Sequence, residues 1–341
     1  MRKLASVQEI REIRPIANAD RIEEALIEGW HVVVEKGVFK EGERVVFCEV
    51  DSILPKDNLN FSFLEGKPIK TKKLKGVYSQ GCVFPMDVLP DGTYEVGQDV
   101  TGLLGVRKYE PDVLNREIGI KVKKLPEGYT YFPSWIPKTD ETRVQSLQNY
   151  LTRYRGVWCI ATEKLDGSSL TAFLDENDEL HVCSRNKEIT DKSHWMYQTA
   201  VKEGFREKLA RFKKGAVVQG EIIGEGIQCN KYKLKGREIY IYNMRIDNEY
   251  PMDELYGREH LEKAGFKLVP LVIYGFRMYD DIDELVMLAE GKSKLNPNVE
   301  REGIVIRPIG RIDVPDADGN FVDGRFSFKV INPKFLIKYG G

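Results

Sequence analysis

A lysine two residues before an Asp-Gly pair is the feature of this chain with the clearest chemical meaning. Lys164 follows the mixed apolar run Val157-Trp-Cys-Ile160 and precedes Leu165-Asp166-Gly167. The run predicts a strand and the Asp-Gly pair predicts a tight turn, so the lysine amine is delivered to the end of a strand, where a nucleophile can meet a substrate. An Asp-Gly pair after a strand also forms plain hairpin turns, and these residues alone leave that structural alternative open.

Five downstream segments of unusual composition extend this signal. They are Cys183-Ser-Arg185-Asn186, Gln219-Gly-Glu221-Ile-Ile-Gly-Glu-Gly-Ile-Gln228, Ile239-Tyr-Ile-Tyr242-Asn243, Glu302-Gly303-Ile-Val-Ile306 and Phe328-Lys329-Val-Ile-Asn332. Together with Lys164 they resemble the collinear motifs of the lysine-dependent nucleotidyltransferases, which include polynucleotide ligases and RNA capping enzymes. The stretch Gly226-Ile-Gln-Cys-Asn230-Lys-Tyr232 makes the resemblance specific to ATP-dependent RNA ligases, and the Naegleria-type branch with an N-terminal OB-like domain is the most similar. The motif resemblance covers about residues 143 to 338.

The resemblance implies an RNA ligase (ATP) that forms phosphodiester bonds. In the implied reaction Lys164 displaces pyrophosphate from ATP to give lysyl-AMP, and AMP passes to a 5′-phosphate to form an RNA-adenylate. A 3′-hydroxyl then seals the strand. The expected cofactors are ATP and Mg²⁺ or Mn²⁺. The expected partner is RNA, as a nicked duplex or as broken ends, in nick sealing or RNA repair.

The same resemblance implies roles for individual residues. Lys164 and Lys329 are the expected catalytic residues. The residues expected to bind the nucleotide are Glu163, Lys164, Leu165, Arg185, Glu221, Tyr242, Glu302 and Lys329. Tyr242 is expected to stack on adenine, and Arg143 and Arg185 to contact phosphate through their forked guanidinium groups. Asp166, Glu221 and Glu302 are expected to hold the metal, directly or through its waters.

A lysine suits this chemistry only if its pKa is lowered. The amine attacks phosphorus when it is unprotonated, and its reference pKa of about 10.4 leaves a very small unprotonated fraction at neutral pH. We expect neighbouring cations, a divalent metal together with Lys329, to depress the pKa of Lys164. Arginine cannot serve here because it does not lose its proton in this range.

Taken singly, several of these residues have structural alternatives, and one motif departs from the family pattern. Glu302-Gly303 also reads as a turn into a buried strand, Tyr242 as a core residue, and Arg185-Asn186 as a surface loop. Several relatives carry a second lysine two positions after the one matched to Lys329, where this chain has Ile331. Lys334 or Lys338 are the candidates to replace its phosphate contact.

The first third of the chain predicts a small β-barrel. Short β-branched runs, Trp30-His-Val-Val-Val34, Glu43-Arg-Val-Val-Phe-Cys-Glu-Val50 and Gly81-Cys-Val-Phe84, are separated by glycine turns. Their arrangement is similar to OB-type tRNA-binding modules, which bind oligonucleotides across a curved face. Lys70, Lys72, Lys73 and Lys75 lie in this region, and both a solvated loop and a phosphate contact remain open for them.

The predicted fold class is α+β. An OB-like β-barrel over 1–110 precedes a connection packed at the domain junction over 111–142 and a mixed α/β nucleotidyltransferase domain with antiparallel sheets over 143–341. Three-four spacing of apolar residues predicts helices over 143–155, 253–264 and 280–290. The connection is rich in proline and in aromatic residues, and a free flexible linker would have few aromatic residues. Only about a dozen residues follow Lys329, so we expect the OB-like domain to lie in front of the catalytic motifs.

Composition bounds the remaining possibilities. A length of 341 residues predicts two domains, and 42% hydrophobic with 31% charged residues is typical of globular proteins. The net charge of −1 excludes a global basic signature, so any nucleic-acid surface is local. Five dispersed cysteines argue against zinc and disulfides. With no apolar signal or membrane-spanning run, we expect an intracellular protein, cytoplasmic if prokaryotic, with no membrane partner and no obligate protein partner.

Two other readings compete with this function. The chain resembles capping guanylyltransferases and DNA ligases in its motifs, but those enzymes carry an OB domain after the last motif. The second alternative is a nucleic-acid-binding OB protein whose nucleotidyltransferase domain is inactive, against which the intact set of motif residues argues. A test of GTP against ATP separates the first, and RNA binding without a covalent AMP adduct would support the second.

Overall fold

The computed structural model of the protein describes residues 3–109, 125–315 and 321–339. Its N-terminal part is built from short strands, as the β-branched runs predict. The strands described there are β1 (Ala5–Pro15), β2 (Ile22–Ile27), β3 (Trp30–Glu35), β4 (Arg44–Cys48), β5 (Ser52–Ile53), β6 (Lys72–Leu74), β7 (Val77–Ser79), β8 (Cys82–Pro85) and β9 (Arg107–Lys108).

Five of these strands form one curled antiparallel sheet in the order β3-β2-β1-β4-β8. The sheet bends back on itself, so that the amide of Gln80, just before β8, donates to the carbonyl of His31 in the opposite edge strand β3 (2.8 Å). Alternation in β3 sends Trp30 and Val32 into the barrel interior. Burial of such aromatic and β-branched side chains is the main force that closes the barrel.

The second domain contains two larger sheets and six helices among the residues described. Its strands are β10 (Tyr129–Tyr131), β11 (Thr142–Arg143), β12 (Trp158–Lys164), β13 (Ser168–Leu174), β14 (Leu180–Cys183), β15 (Lys187–Ile189), β16 (Val217–Gly224), β17 (Arg237–Arg245), β18 (Leu271–Arg277), β19 (Gly303–Pro308) and β20 (Phe328–Ile331). Its helices are α1 (Gln148–Arg153), α2 (Trp195–Lys202), α3 (Phe205–Leu209), α4 (Glu254–Lys263), α5 (Ile282–Ala289) and α6 (Pro333–Tyr339). None of the described helices is long and apolar enough to cross a membrane.

The two sheets meet at the Lys164 motif. One sheet has the order β10-β15-β14-β13-β16-β17, and the other β11-β20-β19-β12-β18, in which only the β11–β20 pair is parallel. Lys164 ends β12 in the second sheet, and β13 begins in the first sheet four residues later. The hairpin alternative for the Asp-Gly pair is therefore wrong, since the two strands it joins belong to different sheets.

Gly167 allows this close junction. A Cβ atom at Gly167 would lie 2.2 Å from the carbonyl oxygen of Ile222 in β16 and 2.7 Å from the side chain of Ile223. Those distances are below any real contact, and the nearest atom belongs to the backbone, which cannot move aside cheaply. The glycine of the motif is needed here so that the segment between the two sheets can pass close to β16, and not for a hairpin turn.

The predicted helices exist with shorter bounds. The segment 143–155 begins as strand β11 and a 3₁₀ turn over Val144–Ser146, and only α1 is α-helical. The helices expected over 253–264 and 280–290 are α4 and α5. Asp253 and Asp281 cap these two helices by accepting from the amides of Tyr256 (2.8 Å) and Glu284 (3.0 Å).

The connection between the domains packs against the second domain where it is described. Residues 111–124 of the segment lie outside the described residues. Further along, β10 pairs with β15, Ile136 is buried with Val217, and Gln219 donates to the carbonyl of Pro137 (2.9 Å). These contacts agree with a packed connection, and the domain boundaries at 110 and 142 stay predictions.

The N-terminal barrel docks on the second domain through the edge that contains Gly29, Trp30 and His31. The Trp30 indole donates to Ser146 Oγ (3.2 Å), and the Gly29 amide donates to the carbonyl of Gln145 (3.0 Å). His31 contacts Glu24 of its own domain (2.8 Å) and Asp283 of α5 (3.1 Å). Hydrogen bonding to Asp283 is the main cause that raises the pKa of His31 above its ordinary value.

We predict that the His31 contact makes domain docking dependent on pH. A histidine whose folded pKa exceeds the ordinary value of 6.5 stabilises the folded state below that value and loses this contribution as pH rises through its folded pKa. Replacing His31 by glutamine should cost about 1 kcal/mol near pH 5.5 and almost nothing near pH 8.5, measured by chemical denaturation. Asp283→Asn should flatten the same pH dependence, and an equal cost at both pH values would contradict the prediction.

Candidate active site

A cleft of about 690 Å³ opens where the two sheets of the catalytic domain meet. Seven residues that the sequence analysis assigned to nucleotide binding line this cleft. They are Glu163, Lys164, Leu165, Arg185, Glu221, Tyr242 and Lys329. Lys108 and Tyr109, which lie at and just after the N-terminal strand β9, line it as well. Apolar lining comes from Val269 and Val305, so the cleft joins an apolar wall to a set of charged groups, as small-molecule sites do.

Lys164 forms a partly buried ion pair with Glu302. Antiparallel pairing of β12 with β19 places Lys164 opposite Gly303, and Glu302 stands one residue before that position. The Lys164 amine donates to Glu302 Oε1 at 2.6 Å, while Glu302 Oε2 is buried without a hydrogen-bond partner. The alternative reading of Glu302-Gly303 as a turn into a buried strand is also correct, because β19 begins at Gly303.

The expected depression of the Lys164 pKa is not what the described residues produce. Burial acts to lower this pKa, but the carboxylates of Glu302 and Glu221 outweigh it and raise the pKa above its ordinary value. Lys329, the protein cation expected to depress it, pairs with Asp140 instead (3.1 Å). The protein groups around Lys164 therefore favour the charged ammonium form.

Glu221 lies in β16 beside the Lys164 motif. Its carboxylate accepts from the Gly167 amide (3.1 Å). Burial raises the pKa of Glu221 to about 8, and the charges of Glu302 and Asp166 act in the same direction. A raised pKa of this kind means that the carboxylate has lost much of its hydration and has not gained a full counter-charge. A nearby cation would therefore stabilise its ionised form.

Asp166 is held by two residues that the sequence analysis left without a role. Its amide donates to the Tyr232 hydroxyl (2.8 Å), and its carboxylate forms an ion pair with Lys231. The Lys231 ammonium also lies 5.4 Å from the ring centre of Phe335 and 5.7 Å from that of Tyr339, both in α6. The Asn230-Lys-Tyr232 stretch was a signal for these residues, because it carried the resemblance to RNA ligases.

The carboxylates fit a divalent metal in their donor chemistry. Oxygen ligands suit Mg²⁺ and Mn²⁺, and both the orphaned Glu302 Oε2 and the weakly acidic Glu221 would gain from a cation. Across the described ranges, however, no three His, Cys, Asp or Glu side chains are grouped closely enough to hold a metal ion. The metal-binding role of Asp166, Glu221 and Glu302 stays a prediction.

Tyr242 forms part of the cleft wall through β17. Its hydroxyl is within hydrogen-bonding distance of Thr139 Oγ1 (2.9 Å), and burial raises its pKa to about 12. The buried Arg307 donates from Nη1 to the carbonyl of Tyr242 (2.6 Å) and to Glu254 Oε1 (3.1 Å), and from Nη2 to Glu141 Oε1 (3.2 Å). Arg307 stands next to the Glu302-Gly303 motif but was missed, since nothing in the sequence shows that its strand is buried against charged partners.

A second group of charges surrounds Asp140. Its carboxylate pairs with Lys329 (3.1 Å), Arg185 (3.3 Å) and Lys108. The sequence analysis predicted Arg185 as a phosphate contact and Lys329 as a catalytic, nucleotide-binding residue but assigned nothing to Asp140 or Lys108. Because these four residues are far apart in the chain and follow no common spacing, only the folded structure shows that they meet.

Three further residues proposed for phosphate lie away from the cleft lining. Arg143 is buried at the domain junction and pairs with Asp51 of the barrel (2.9 Å), with its Nε and Nη1 lacking partners. Lys334 pairs with Glu290 (2.6 Å), and Lys338 lies over the ring of Tyr339 in α6. The phosphate role of Arg143 stays a prediction. Neither Lys334 nor Lys338 lines the cleft, so neither takes the place of the second lysine that relatives carry in the last motif.

Two family models match the chain at the places where these features lie. An OB-fold domain model matches residues 4–86, and an RNA ligase model matches residues 158–331. The second match includes Lys164, Glu302 and Lys329. The chain therefore belongs to the RNA ligase family. No curated protein sequence matches the chain.

Solved structures of Naegleria gruberi RNA ligase resemble the chain along its whole length. The complex of that enzyme with PPi is 33% identical, with a TM-score of 0.84 over 100% of this chain and 99% of that chain. A glutamate-to-alanine mutant with AMP and Mn is 33% identical, with a TM-score of 0.85 over 99% of each chain. A lysine-to-alanine mutant with ATP and Mn is 32% identical, with a TM-score of 0.84 over 99% of each. The predicted order, an OB-like barrel before an α+β catalytic domain, is confirmed.

We predict that Lys231 positions Asp166 for the reaction at Lys164. Lys231→Met should slow formation of the lysine–nucleotide adduct roughly 10- to 100-fold, because supporting partners of reactive carboxylates have effects of this size. Lys231→Arg, which keeps the charge, should recover most of the rate. The neighbouring exposed Lys235→Met is the matched control and should behave as wild type in rapid-quench measurements. A Lys231→Met protein with the wild-type rate would remove Lys231 from the site.

Proposed function

We propose that the protein is an ATP-dependent RNA ligase that joins 3′-hydroxyl and 5′-phosphate ends through lysyl-AMP and RNA-adenylate intermediates. The observation that carries the proposal is the 2.6 Å contact of Lys164 with Glu302 at the end of a strand that opens into a nucleotide-sized cleft. The family match supports it, as does the similarity to an RNA ligase solved with ATP, AMP, PPi and Mn.

In the first step, Lys164 Nζ attacks the α-phosphorus of ATP. The N–P bond forms and the P–O bond to pyrophosphate breaks. The ammonium group loses two protons in all, one before the attack and one as the N–P bond forms. Glu302 accepts the Lys164 hydrogen bond and is the group best placed to receive the first proton, since burial raises the pKa of its carboxyl group; the second proton leaves with pyrophosphate or to water. The ion pair thus keeps Lys164 in its ammonium form until a bound substrate changes the charge around it.

A divalent cation belongs to this proposal. Glu221, Glu302 and Asp166 would hold it, directly or through water, and when bound it supplies positive charge at the phosphates. The same charge would oppose the ammonium form of Lys164, which the carboxylates otherwise favour. Mg²⁺ or Mn²⁺ fits this oxygen-rich donor set.

The remaining cleft residues divide between the base and the phosphates. Tyr242 offers an aromatic face for adenine, and Glu163 and Leu165 line the same cleft at the end of β12. Lys329 and Arg185 present cations to the phosphates, and we propose Arg143 for a phosphate of ATP or of the RNA end. The partner is RNA, and nick sealing in RNA repair is the form of the reaction that we favour.

Covalent adduct formation tests the proposal directly. After treatment with pyrophosphate to remove any bound AMP, wild type incubated with ATP and Mg²⁺ or Mn²⁺ should gain one AMP by intact-protein mass spectrometry. Lys164→Ala should gain none, and Lys329→Ala should react at least about 100-fold more slowly, because a charge that acts on the developing transition state is lost. A folded Lys164→Ala protein that still carries AMP would contradict the assignment.

Nucleotide choice separates this proposal from a guanylyltransferase. GTP should give no adduct under conditions where ATP gives full occupancy. The inactive-domain alternative predicts RNA binding with no adduct from either nucleotide.

Stacking on Tyr242 gives an independent prediction. Tyr242→Ala should raise the KM for ATP roughly 10- to 100-fold, since loss of one base–aromatic stack costs about 1–3 kcal/mol. Tyr242→Phe is the matched control, because it keeps the ring and loses only the hydroxyl contact with Thr139. If both variants raise KM equally, the hydroxyl and not the ring is the important group.

A further inference from the structure

Asp140 has an unusual position for an acidic residue, since it stands at the centre of the cations that line the nucleotide cleft. Its Oδ1 accepts from Lys329 (3.1 Å), and its Oδ2 pairs with Arg185 (3.3 Å) and with Lys108. All four side chains line the same cleft. A single carboxylate thus engages two cations expected to bind phosphate, Lys329 and Arg185, together with a third from the other domain.

The three cations come from three separate parts of the fold. Lys108 belongs to β9, Arg185 to the loop between β14 and β15, and Lys329 to β20. Asp140 itself lies in the connection between the domains. A carboxylate that accepts several charge-assisted bonds in this way satisfies the same donors that a phosphate oxygen cluster would satisfy.

The charges also show how strongly Asp140 is held as an anion. Burial alone would raise its pKa, but Lys329, Lys108 and Arg185 together hold the pKa well below its usual range. The group is therefore ionised throughout the pH range in which a ligase works. An incoming triphosphate meets a site whose cations already have a partner, and binding requires exchange of one anion for another.

We propose that Asp140 holds the place of a phosphate group in the nucleotide-free enzyme and releases its three cations when the phosphates of ATP enter. Asp140 is a positioning residue that keeps Lys329, Arg185 and Lys108 close together before substrate arrives. Because it competes for these cations, it also lowers the affinity of the cleft for phosphates. The same competition speeds the release of pyrophosphate after Lys164 has reacted. The inference rests on the proposed function for its meaning, but the exchange of anions is measurable without any reaction.

The test is direct binding of pyrophosphate, measured by calorimetry on the full-length protein without metal. Asp140→Asn keeps the shape of the side chain and removes the competing charge, so it should bind pyrophosphate about tenfold more tightly than wild type. Asp178→Asn is the matched control, because Asp178 is an exposed aspartate in an ion pair with Lys214 (3.7 Å) outside the cleft. Its affinity should equal that of wild type. Equal or weaker binding by Asp140→Asn would overturn the proposal.

A kinetic readout distinguishes competition from a purely structural role. In single-turnover adenylylation, Asp140→Asn should show a lower KM for ATP and inhibition by pyrophosphate at about a tenfold lower concentration than wild type. A fall in kcat with unchanged KM and unchanged inhibition would show that Asp140 only supports the fold. If no variant forms an adduct while the difference in pyrophosphate binding persists, the proposed function fails and the anion exchange stands.

The double variant Lys108→Met/Asp140→Asn protects the test against misfolding. Asp140→Asn alone leaves three cations without their shared partner, and the double variant removes one of them. Compared with Lys108→Met alone, it should bind pyrophosphate more tightly by a similar factor. Equal affinities of these two proteins would overturn the proposal even if Asp140→Asn could not be purified.

Discussion

The partly buried pair of Lys164 and Glu302 is the interaction on which the active site depends. Desolvating two charges is costly, and the cost is recovered only where geometry and further hydrogen bonds are good. Here β12 and β19 supply the geometry through their register, which sets Lys164 opposite Gly303. One oxygen of Glu302 is left without a partner. The pair is therefore strong enough to keep the lysine in place and still incomplete, as expected of a site that must accept more positive charge.

Two buried arginines, Arg307 and Arg325, stabilise the walls of the cleft through further charged contacts. Arg307 ties β19 to β17, to α4 and to the connection through its bonds with Tyr242, Glu254 and Glu141. Arg325 adds a second cation to Glu254 and donates to Asn243 Oδ1 (3.0 Å). The surface that faces the nucleotide is thus held by a directional ionic network in addition to apolar packing. Directional bonds of this kind fix orientation more closely than dispersion contacts can.

The sequence was informative where chemistry is local and uninformative where it depends on which strands become neighbours. The strand that ends at Lys164, the N-terminal barrel and helices α4 and α5 follow from apolar and β-branched runs, turn residues and three-four apolar spacing, all of which lie within a few positions of one another. The joining of two sheets at Gly167 does not, because an Asp-Gly pair looks the same in a hairpin. Asp140 and its three cations meet only after long-range pairing, and no spacing along the chain reports it.

The pKa of Lys164 shows the same limit in electrostatic terms. Motif resemblance identifies the nucleophile, but the sign of its pKa shift depends on the distances of Glu302 and Glu221, which only the fold defines. The expectation of a depressed pKa counted Lys329, which in the structure pairs with Asp140 instead. Charge balance in a cleft is a sum over neighbours, and a list of motif residues omits the neighbours outside the motifs.

The edge of the barrel at Gly29 and Trp30 serves two purposes at once. Trp30 packs 5.6 Å from Phe47 in the barrel core and also donates across the domain junction, and a Cβ atom at Gly29 would lie 2.2 Å from Ile282 Cδ1 of the catalytic domain. The barrel therefore cannot be exchanged for an OB domain that lacks this edge. Another OB module grafted onto this catalytic domain would need the same edge to reproduce the docking geometry and to place a lysine at the position of Lys108 in the cleft. Evolution or engineering can vary the rest of the barrel surface only while leaving that edge intact.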